Sequence, residues 1–330
     1  MRMTKYLGAV SASALLTASI IPAEAGAQAL MGHGAQPDNP RHQASLVFAD
    51  LVESYTGGDT TIDVKPAGQL GGDDELIESV GANTIQLTAN SQGSFAQVVP
   101  EVALFGLPFL FESQAQAFQV IDGPIGDLVR DRAAEEGFIV LAWWDNGLRN
   151  ISHTDVAIES PADIEGMDIR TPPSEMTVDM FEALGANPEP LAWGELPSAL
   201  QAGTFQGQEN PLINIYTAEL HEITPYIAMT GHKYETTPVI ASQEWWNSLN
   251  PSQQDAVERA AQQAGWYQRG QAMRADARLR STMEQEGVTF TDPDVSSFQK
   301  STASVYDAWA ERFPDLVDEL QAAAKRAQAE

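Results

Sequence analysis

Apolar and polar residues alternate along this chain with two different periods. In the segment ASLVFADLVESYTG, Leu46, Val47 and Leu51 recur at the spacing of an amphipathic helix. The segment TIDVKPAGQL alternates residue by residue, as a half-buried strand does, and stops at Pro66. Helix and strand segments then continue in turn; among them we predict strands at residues 84–89, 138–143 and 168–171, and a helix at residues 175–184. This order favours an α/β fold in which parallel or mixed sheets are covered by helices.

The last third of the chain predicts one unusually long helix. Its start is marked by Asn250 followed by Pro and Ser, and the helical pattern continues to about Gln285, a length of about 50 Å at the standard rise. Gly265 and Gly270 should weaken this helix locally. Because such a helix exceeds one small domain, we expect it to brace two.

The length of 330 residues is enough for two domains, each with its own core. We predict domain I from residues 29–148 plus about 236–275, and domain II from residues 149–235 plus about 276–330. No low-complexity linker interrupts the chain. Strands and helices should therefore join the two domains, with the helix at about residues 251–285 spanning both.

Residues 1–28 predict a cleavable signal peptide. Arg2 and Lys5 form a positive start, an apolar stretch of small residues follows, and Ala-x-Ala pairs come next. A membrane anchor is the weaker alternative, because the apolar run is short and ends at Pro22. No later run is long enough to span a bilayer. We expect a product that is free in the periplasm, without stable membrane insertion.

Composition then excludes several classes of partner and of chemistry. The formal net charge of −28 repels nucleic acid and anionic lipid head groups. The chain has no cysteine, so disulfides, thiol chemistry and cysteine-bound metals are absent. We find no GxSxG, HExxH, Walker or GxGxxG motif, and the five histidines are scattered. We therefore expect no cofactor, no metal site and no enzymatic activity.

Candidate binding residues cluster instead near the ends of predicted strands. Asn146 and Arg149 follow the apolar strand in WWDNGLRN, and Arg170 ends the strand in GMDIRTPPS. Trp193 ends another predicted strand, in LAWGELP, and Asn210 lies in GQENP. Ligands of open α/β sheets bind at strand ends, and a guanidinium matches a carboxylate with two parallel hydrogen bonds. From spacing alone, a surface ion pair is the more common environment for an arginine such as Arg170.

Four segments together resemble a known family. WWDNGLRN, GMDIRTPPS, LAWGELPSALQAGTFQGQENP and PAGQLGGDDELIESV are similar, in this order and spacing, to the DctP-type solute-binding subunit of tripartite ATP-independent periplasmic (TRAP) transporters. The resemblance runs from about residue 29 to the C-terminal helices. It implies an α/β clamp of the periplasmic-binding-protein type, whose two domains close over an organic acid and release it to the membrane permease subunits.

The resemblance also implies roles for individual residues. Arg170, in the G-x-x-I-R motif, would pair with the ligand carboxylate, and Arg149, in N-G-x-R, would assist it. Asn210 would hold the same carboxylate or a neighbouring hydroxyl, and Trp193 would form an apolar wall. Further candidates at positions that vary between members are His33, Ser91 and Asp73, with Tyr234 as a weaker one.

Two other classes of protein stay open from the residues themselves. One is the binding protein of an ATP-driven importer, which should lack the ordered Arg, Arg, Asn set; the other is a secreted hydrolase with an unfamiliar site. For the ligand, the neutral side chains of Ser91 and His33 favour a monocarboxylate with hydroxyls, such as a sugar acid. The alternatives are a dicarboxylate, an aromatic or short hydroxy acid, or an ectoine-type solute, which Asp168 disfavours because it is not aromatic.

Overall fold

The computed structural model describes residues 27–328, which form nine strands and thirteen α-helices. The strands are β1 (Ala27–Gly32), β2 (Thr60–Lys65), β3 (Leu87–Ala89), β4 (Phe138–His153), β5 (Asp168–Thr171), β6 (Asn187–Pro190), β7 (Gly207–Asn210), β8 (Tyr226–Ser242) and β9 (Thr289–Thr291). The helices are α1 (Pro40–Thr56), α2 (Asp73–Gly81), α3 (Gln92–Phe95), α4 (Gln114–Ile121), α5 (Pro124–Glu135), α6 (Glu175–Ala183), α7 (Leu196–Gln201), α8 (Leu212–Thr217), α9 (Gln243–Ser248), α10 (Pro251–Gln285), α11 (Val295–Ser301), α12 (Ala303–Arg312) and α13 (Pro314–Gln328). Short 3-10 helices cover Pro100–Gly106, Pro161–Ile164, Trp193–Glu195 and Leu220–Glu222.

All nine strands belong to one mixed sheet, in the order β2-β1-β3-β8-β4-β7-β5-β6, with β9 beside β8. The pairs β1–β2, β1–β3, β5–β6, β5–β7 and β8–β9 are parallel, whereas the pairs β3–β8, β4–β8 and β4–β7 are antiparallel. The predicted α/β class with mixed parallel and antiparallel strands flanked by helices is confirmed. The sequence predicted more than one sheet. The structure has a single sheet, because the long central strands β4 and β8 connect its two ends.

The strand predicted at residues 138–143 continues to His153. Asn146 and Arg149 therefore lie inside β4 rather than after its end. The pairing of β4 with β8 shifts register between Asp145 and Gly147 and again between Arg149 and Ile151. These irregularities bend the strand at the point where polar side chains interrupt its apolar pattern.

The molecule has two lobes that share β4, β8 and α10. The first lobe contains β1–β3 and α1–α5, whose apolar side chains pack on both faces of that end of the sheet. The second lobe contains β5–β7, β9, α6–α8 and α11, with two smaller apolar clusters. The two-domain clamp predicted from the resemblance is the observed architecture.

The C-terminal helices differ from the predicted division, which placed residues 276–330 in the second domain. Val305 and Trp309 of α12 and Leu320 of α13 are buried in the same apolar cluster as Phe105 of the first lobe. The Gln116 side-chain amide also donates to the Ala324 carbonyl, at 2.8 Å. Helix α13 thus closes the first lobe, because its apolar face covers α4.

The predicted long helix is observed as α10, Pro251–Gln285. The Asn250 side chain caps its start by accepting hydrogen bonds from two backbone amides of the first turn, as an N-cap residue does. In its first half, Val257 packs in the first lobe; in its second half, Met283 packs in the second. The helix therefore braces both lobes, as predicted.

The two glycines of α10 provide a matched pair for mutation. A Cβ on Gly265 would lie 2.9 Å from Cδ1 of Trp144, whose indole donates to the Ala261 carbonyl, whereas Gly270 has open space around it. We expect Gly270→Ala to stabilise the fold by about 0.5–1 kcal/mol, because alanine favours the helix. Gly265→Ala should destabilise it by about 1–3 kcal/mol, because the indole must move. Denaturant unfolding midpoints measure both; shifts in the same direction would contradict this packing.

The predicted signal peptide lies mostly outside the described residues. Its last two positions, Ala27 and Gln28, already belong to β1 and pair with Thr60 and Thr61 of β2. Between residues 27 and 328, no helix combines the length and the apolar character that crossing a bilayer requires.

Candidate ligand-binding site

A cavity of about 510 Å³ lies between the two lobes. Six of the eight predicted site residues line it, and they come from both lobes: Asp73, Ser91, Arg149, Arg170, Trp193 and Asn210. Other polar residues line the same cavity: Asn39, Arg41, Ser94, Asn146, Asn214, Thr217 and Glu235. The site is therefore more polar than the sequence indicates, and rich in amides.

The Arg170 guanidinium is the cationic centre of the second-lobe wall. Arg170 is 2% exposed, and its Nε and Nη2 both donate to the Leu191 carbonyl, at 2.9 and 2.6 Å. It forms no ion pair with a carboxylate of the described chain. Burial lowers its pKa to about 10, and it stays charged at neutral pH. Its charge is therefore open to an anion in the cavity.

The Arg149 guanidinium is held differently, because it already donates hydrogen bonds to two buried carboxylates. Its Nε and Nη2 donate to the Glu209 carboxylate, and Nη1 donates to Glu235 Oε2 at 2.6 Å. Burial alone would lower the pKa of Arg149, but the charges of Glu209 and Glu235 outweigh burial and raise it. Nη2 also donates to the Glu209 carbonyl. One N–H of Nη1 is left for a ligand, so Arg149 can assist but cannot form a two-bond fork.

The amides of the cavity form one network. Asn146 Oδ1 accepts from Nη2 of Arg41 and from Nδ2 of Asn214, each at 3.0 Å, while its own Nδ2 donates to Glu235 at 2.8 Å. Asn210 Oδ1 accepts a longer bond, 3.4 Å, from the same Asn214 amide. These mutual bonds fix the side chains before a ligand arrives.

Asn39 links the network across the cavity. It caps α1, and its Nδ2 donates to Asn214 Oδ1 at 3.1 Å and to Thr217 Oγ1 at 3.3 Å. Both acceptors lie on α8 of the second lobe. The lobes are thus in direct contact on this side of the cavity.

Trp193 lies in a 3-10 helix, after β6 rather than at a strand end. It faces the first lobe closely: a Cβ on Gly34 would be 3.4 Å from Trp193 Cδ1 and also 3.4 Å from Asp73 Oδ1. Ser91 caps α3, and its Oγ accepts from the Ser94 amide at 3.3 Å. Both residues thus lie at the cavity, and their roles toward a ligand stay predictions.

Tyr234 and His33 do not line the cavity. Glu235 does, and because successive strand side chains point to opposite faces, Tyr234 points away, edge-on to Phe111 in the first-lobe core. His33 is fully buried, with Nε2 3.2 Å from Nδ1 of His42. Burial, reinforced by nearby charge, lowers the pKa of His33 to about 3, so this ring is neutral.

Arg41 is the cavity cation that sequence reasoning missed. Its Nη2 donates to Asn146 Oδ1 and to Thr237 Oγ1, both at 3.0 Å, and like Arg170 it has no carboxylate partner in the described chain. A signal was present: Arg41 occupies the first turn of α1, where the helix dipole disfavours a cation. A cation in that position indicates another function.

Behind the cavity, two carboxyl groups meet where β4 crosses α10. Gln114 Nε2 donates to Asp145 Oδ2 and to Asp276 Oδ2, both at 2.9 Å. Burial and the charge of Asp276 raise the pKa of Asp145 to about 7, and burial raises that of Asp276 to about 6. The folded chain therefore binds more protons here than the unfolded chain does.

This pair should make stability fall as pH rises from about 4 through 7, since the protons favour the folded state. We expect Asp276→Asn to raise the free energy of unfolding by about 2 kcal/mol at pH 8 and to change little at pH 4. Asp50→Asn, on the exposed face of α1, is the control. Unfolding curves at both pH values measure the effect; an equal gain at pH 4 would contradict it.

An interlobe cavity with a buried, unpaired guanidinium defines a binding clamp for an anion. The chain matches the family described as bacterial extracellular solute-binding protein, family 7 (DctP), over residues 31–312. It therefore belongs to this family, and its relatives include TRAP solute-binding proteins, which bind organic acids for membrane permeases and are not enzymes. Of the three classes left open by the sequence, the TRAP-type binding protein is the one confirmed.

Two relatives illustrate the match. The uncharacterized protein y4mM of Sinorhizobium fredii is 42% identical; the aligned region covers 91% of this chain and 56% of that protein, so the chain spans about half of its length. The 2,3-diketo-L-gulonate-binding periplasmic protein YiaO of Escherichia coli is 30% identical, with 88% and 89% covered.

Two solved structures have the same fold. The sugar acid binding protein from Advenella mimigardefordensis, in complex with galactonate, is 29% identical with a TM-score of 0.89, covering 92% of this chain and 99% of that one. A TRAP periplasmic solute binding protein from Sulfurospirillum deleyianum with bound succinate is also 29% identical, with a TM-score of 0.85, covering 91% and 99%.

Proposed function

We propose that this protein works in the periplasm, captures a hydroxylated monocarboxylate such as a sugar acid, and delivers it to the membrane permease of a TRAP transporter. The observation that carries the proposal is the charge of Arg170, which is buried at the cavity without a carboxylate partner. Leaving a buried charge unpaired is costly, so a ligand carboxylate should bind there. In this role the leader at residues 1–28 directs export.

The rest of the lining favours hydroxyl groups on the ligand. Amide and hydroxyl side chains of Asn39, Asn146, Asn214 and Thr217 can each donate to or accept from a hydroxyl. The cavity volume lies in the range for small-molecule sites. The relatives that bind galactonate and 2,3-diketo-L-gulonate agree with such a ligand. The structure with succinate keeps a dicarboxylate as the second candidate.

A thermal-shift screen against organic acids tests the proposal. At 100 times its Kd, a ligand adds about 2.7 kcal/mol of stability, which raises Tm by about 5–10 °C in a protein of this size. We expect hydroxylated monocarboxylates such as galactonate to give the largest shifts. Galactitol, which has the hydroxyls but no carboxylate, is the matched control. An equal shift with galactitol, or no shift with any carboxylate, would remove the anchor assigned to Arg170.

A further inference from the structure

Apart from the exposed carboxylates of Asp74, Glu75 and Glu195, the charged groups around the cavity fall into two sets. In the first set, Arg149 pairs with Glu209 and Glu235, and Lys233 Nζ lies 3.0 Å from Glu235 Oε1. All four residues are at most 2% exposed. Two cations and two carboxylates compensate each other here, so this set offers no net charge to a ligand.

The second set is Arg41, Arg170 and Asp73, which form no ion pairs in the described chain. Two guanidinium groups face one carboxyl group, so the set carries one excess positive charge when Asp73 is ionised and two when it is protonated. The neighbouring rings of His33 and His42 are neutral, because burial lowers the pKa of each below its usual value. The protonation of Asp73 therefore sets the net charge of this second set.

The hydrogen bonds of this set are also incomplete. Asp73 Oδ1 is shielded from solvent but has no donor, and Arg41 uses only Nη2 within the described chain. A hydroxyl can donate to a carboxylate and accept from a guanidinium at once. A second ligand carboxylate, in contrast, would meet the Asp73 carboxylate as a like charge, and Asp73 would need a proton to avoid repulsion.

We infer that Asp73 selects the charge of the ligand. With Asp73 ionised, the cavity takes a hydroxylated monoanion, whose carboxylate lies on Arg170 and whose hydroxyls lie between Asp73 and Arg41. A diacid of the same carbon chain binds only as Asp73 takes up one proton. This inference rests on the proposed function and names the ligand charge within it.

The groups that bear on Asp73 support this coupling. Burial raises the pKa of Asp73, while Arg41 from α1, the Ser91 hydroxyl and Arg170 from β5 oppose that rise, and Asp74 adds to it. Glu75, on the same turn, and Glu195, on the opposite wall, also line the cavity. A negative charge on the ligand can therefore change the protonation of the Asp73 carboxyl group.

Matched monoacid and diacid pairs test the inference: erythronate with tartrate, and galactonate with galactarate. Titration calorimetry in two buffers of different ionisation enthalpy gives both Kd and the protons taken up. For the wild type we expect at least 10-fold tighter binding of the monoacid, with no proton uptake. The diacid should take up about one proton and bind more tightly as pH falls from 8 to 6.

Asp73→Asn should move the diacid-to-monoacid affinity ratio at least 10-fold toward the diacid and abolish proton uptake. Glu78→Gln, which makes the same charge change on the exposed face of α2, should leave the ratio unchanged. Asp73→Ser is a second variant, and should shift the ratio in the same direction. Both variants are compared with the wild type by thermal unfolding without ligand.

The outcomes separate the two proposals. If these acids bind but the ratio does not move in Asp73→Asn, or the diacid binds the wild type without a proton, the charge selection is refuted and the proposed function stands. If only carboxylates without hydroxyls bind, the charge selection and the hydroxylated ligand of the proposed function are both refuted, and only the capture of a carboxylate stands. If no carboxylate binds the wild type at all, both proposals fall.

Discussion

Arg170→Ala should weaken binding of the acid that most stabilises the wild type by at least about 100-fold, while the protein stays folded. Removing one partner of a buried charged hydrogen-bonded pair costs about 2–5 kcal/mol of binding free energy. The fold should tolerate the loss, because Arg170 bonds only to the Leu191 carbonyl and supports no ion pair in the described chain. Calorimetry measures the affinity, and thermal unfolding without ligand checks the fold.

Arg170→Lys is the control for this prediction. It keeps the charge but loses the planar fork, so its affinity should lie between those of the wild type and Arg170→Ala. If Arg170→Ala keeps micromolar affinity, the carboxylate of the ligand lies elsewhere, and Arg41 becomes the next group to test.

Glu209→Gln should lower Tm by about 5–10 °C, the largest stability change that we expect from removing one of the two buried carboxylates paired with Arg149. Glu209 is fully buried, and burial alone would raise its pKa, but Arg149 and the hydrogen bond from His232 lower it. Removing this charge leaves Arg149 with Glu235 alone, and breaking a buried pair costs about 3–5 kcal/mol.

The exposed pair of Arg280 and Asp292 is the matched control for Glu209. The two side chains are 39% and 65% exposed and lie 2.7 Å apart. Because exposed pairs contribute little, Asp292→Asn should leave Tm within about 2 °C of the wild type. Equal losses of Tm in Glu209→Gln and Asp292→Asn would mean that the buried charges around Glu209 stabilise the fold no more than an exposed ion pair does.

The regular parts of the fold could be predicted because their signals are local. Helix α10 has a capped start and an uninterrupted helical pattern, so both of its ends, Pro251 and Gln285, follow from the sequence. Strand β5, Asp168–Thr171, is set by its alternation and by the prolines after it. Neither depends on a distant segment.

The parts that were not predictable depend on pairing between distant segments. Polar residues at 145–153 look like the end of a strand, but β8 supplies their hydrogen bonds and extends β4 to His153. The same pairing decides which of two successive residues of β8 faces the cavity, and so it also decides that the Tyr234 side chain points away. Arg41 joins the site only because the start of α1 lies beside Asn146, about a hundred positions later in the chain.

The sharing of β4, β8 and α10 between the lobes also bears on how the protein unfolds. Each lobe takes part of its core from these elements: Val257 belongs to one and Met283 to the other, on a single helix. Neither lobe keeps a complete core if the other melts. We therefore expect one cooperative unfolding transition rather than two, and a clamp whose halves cannot be produced as independent folding units.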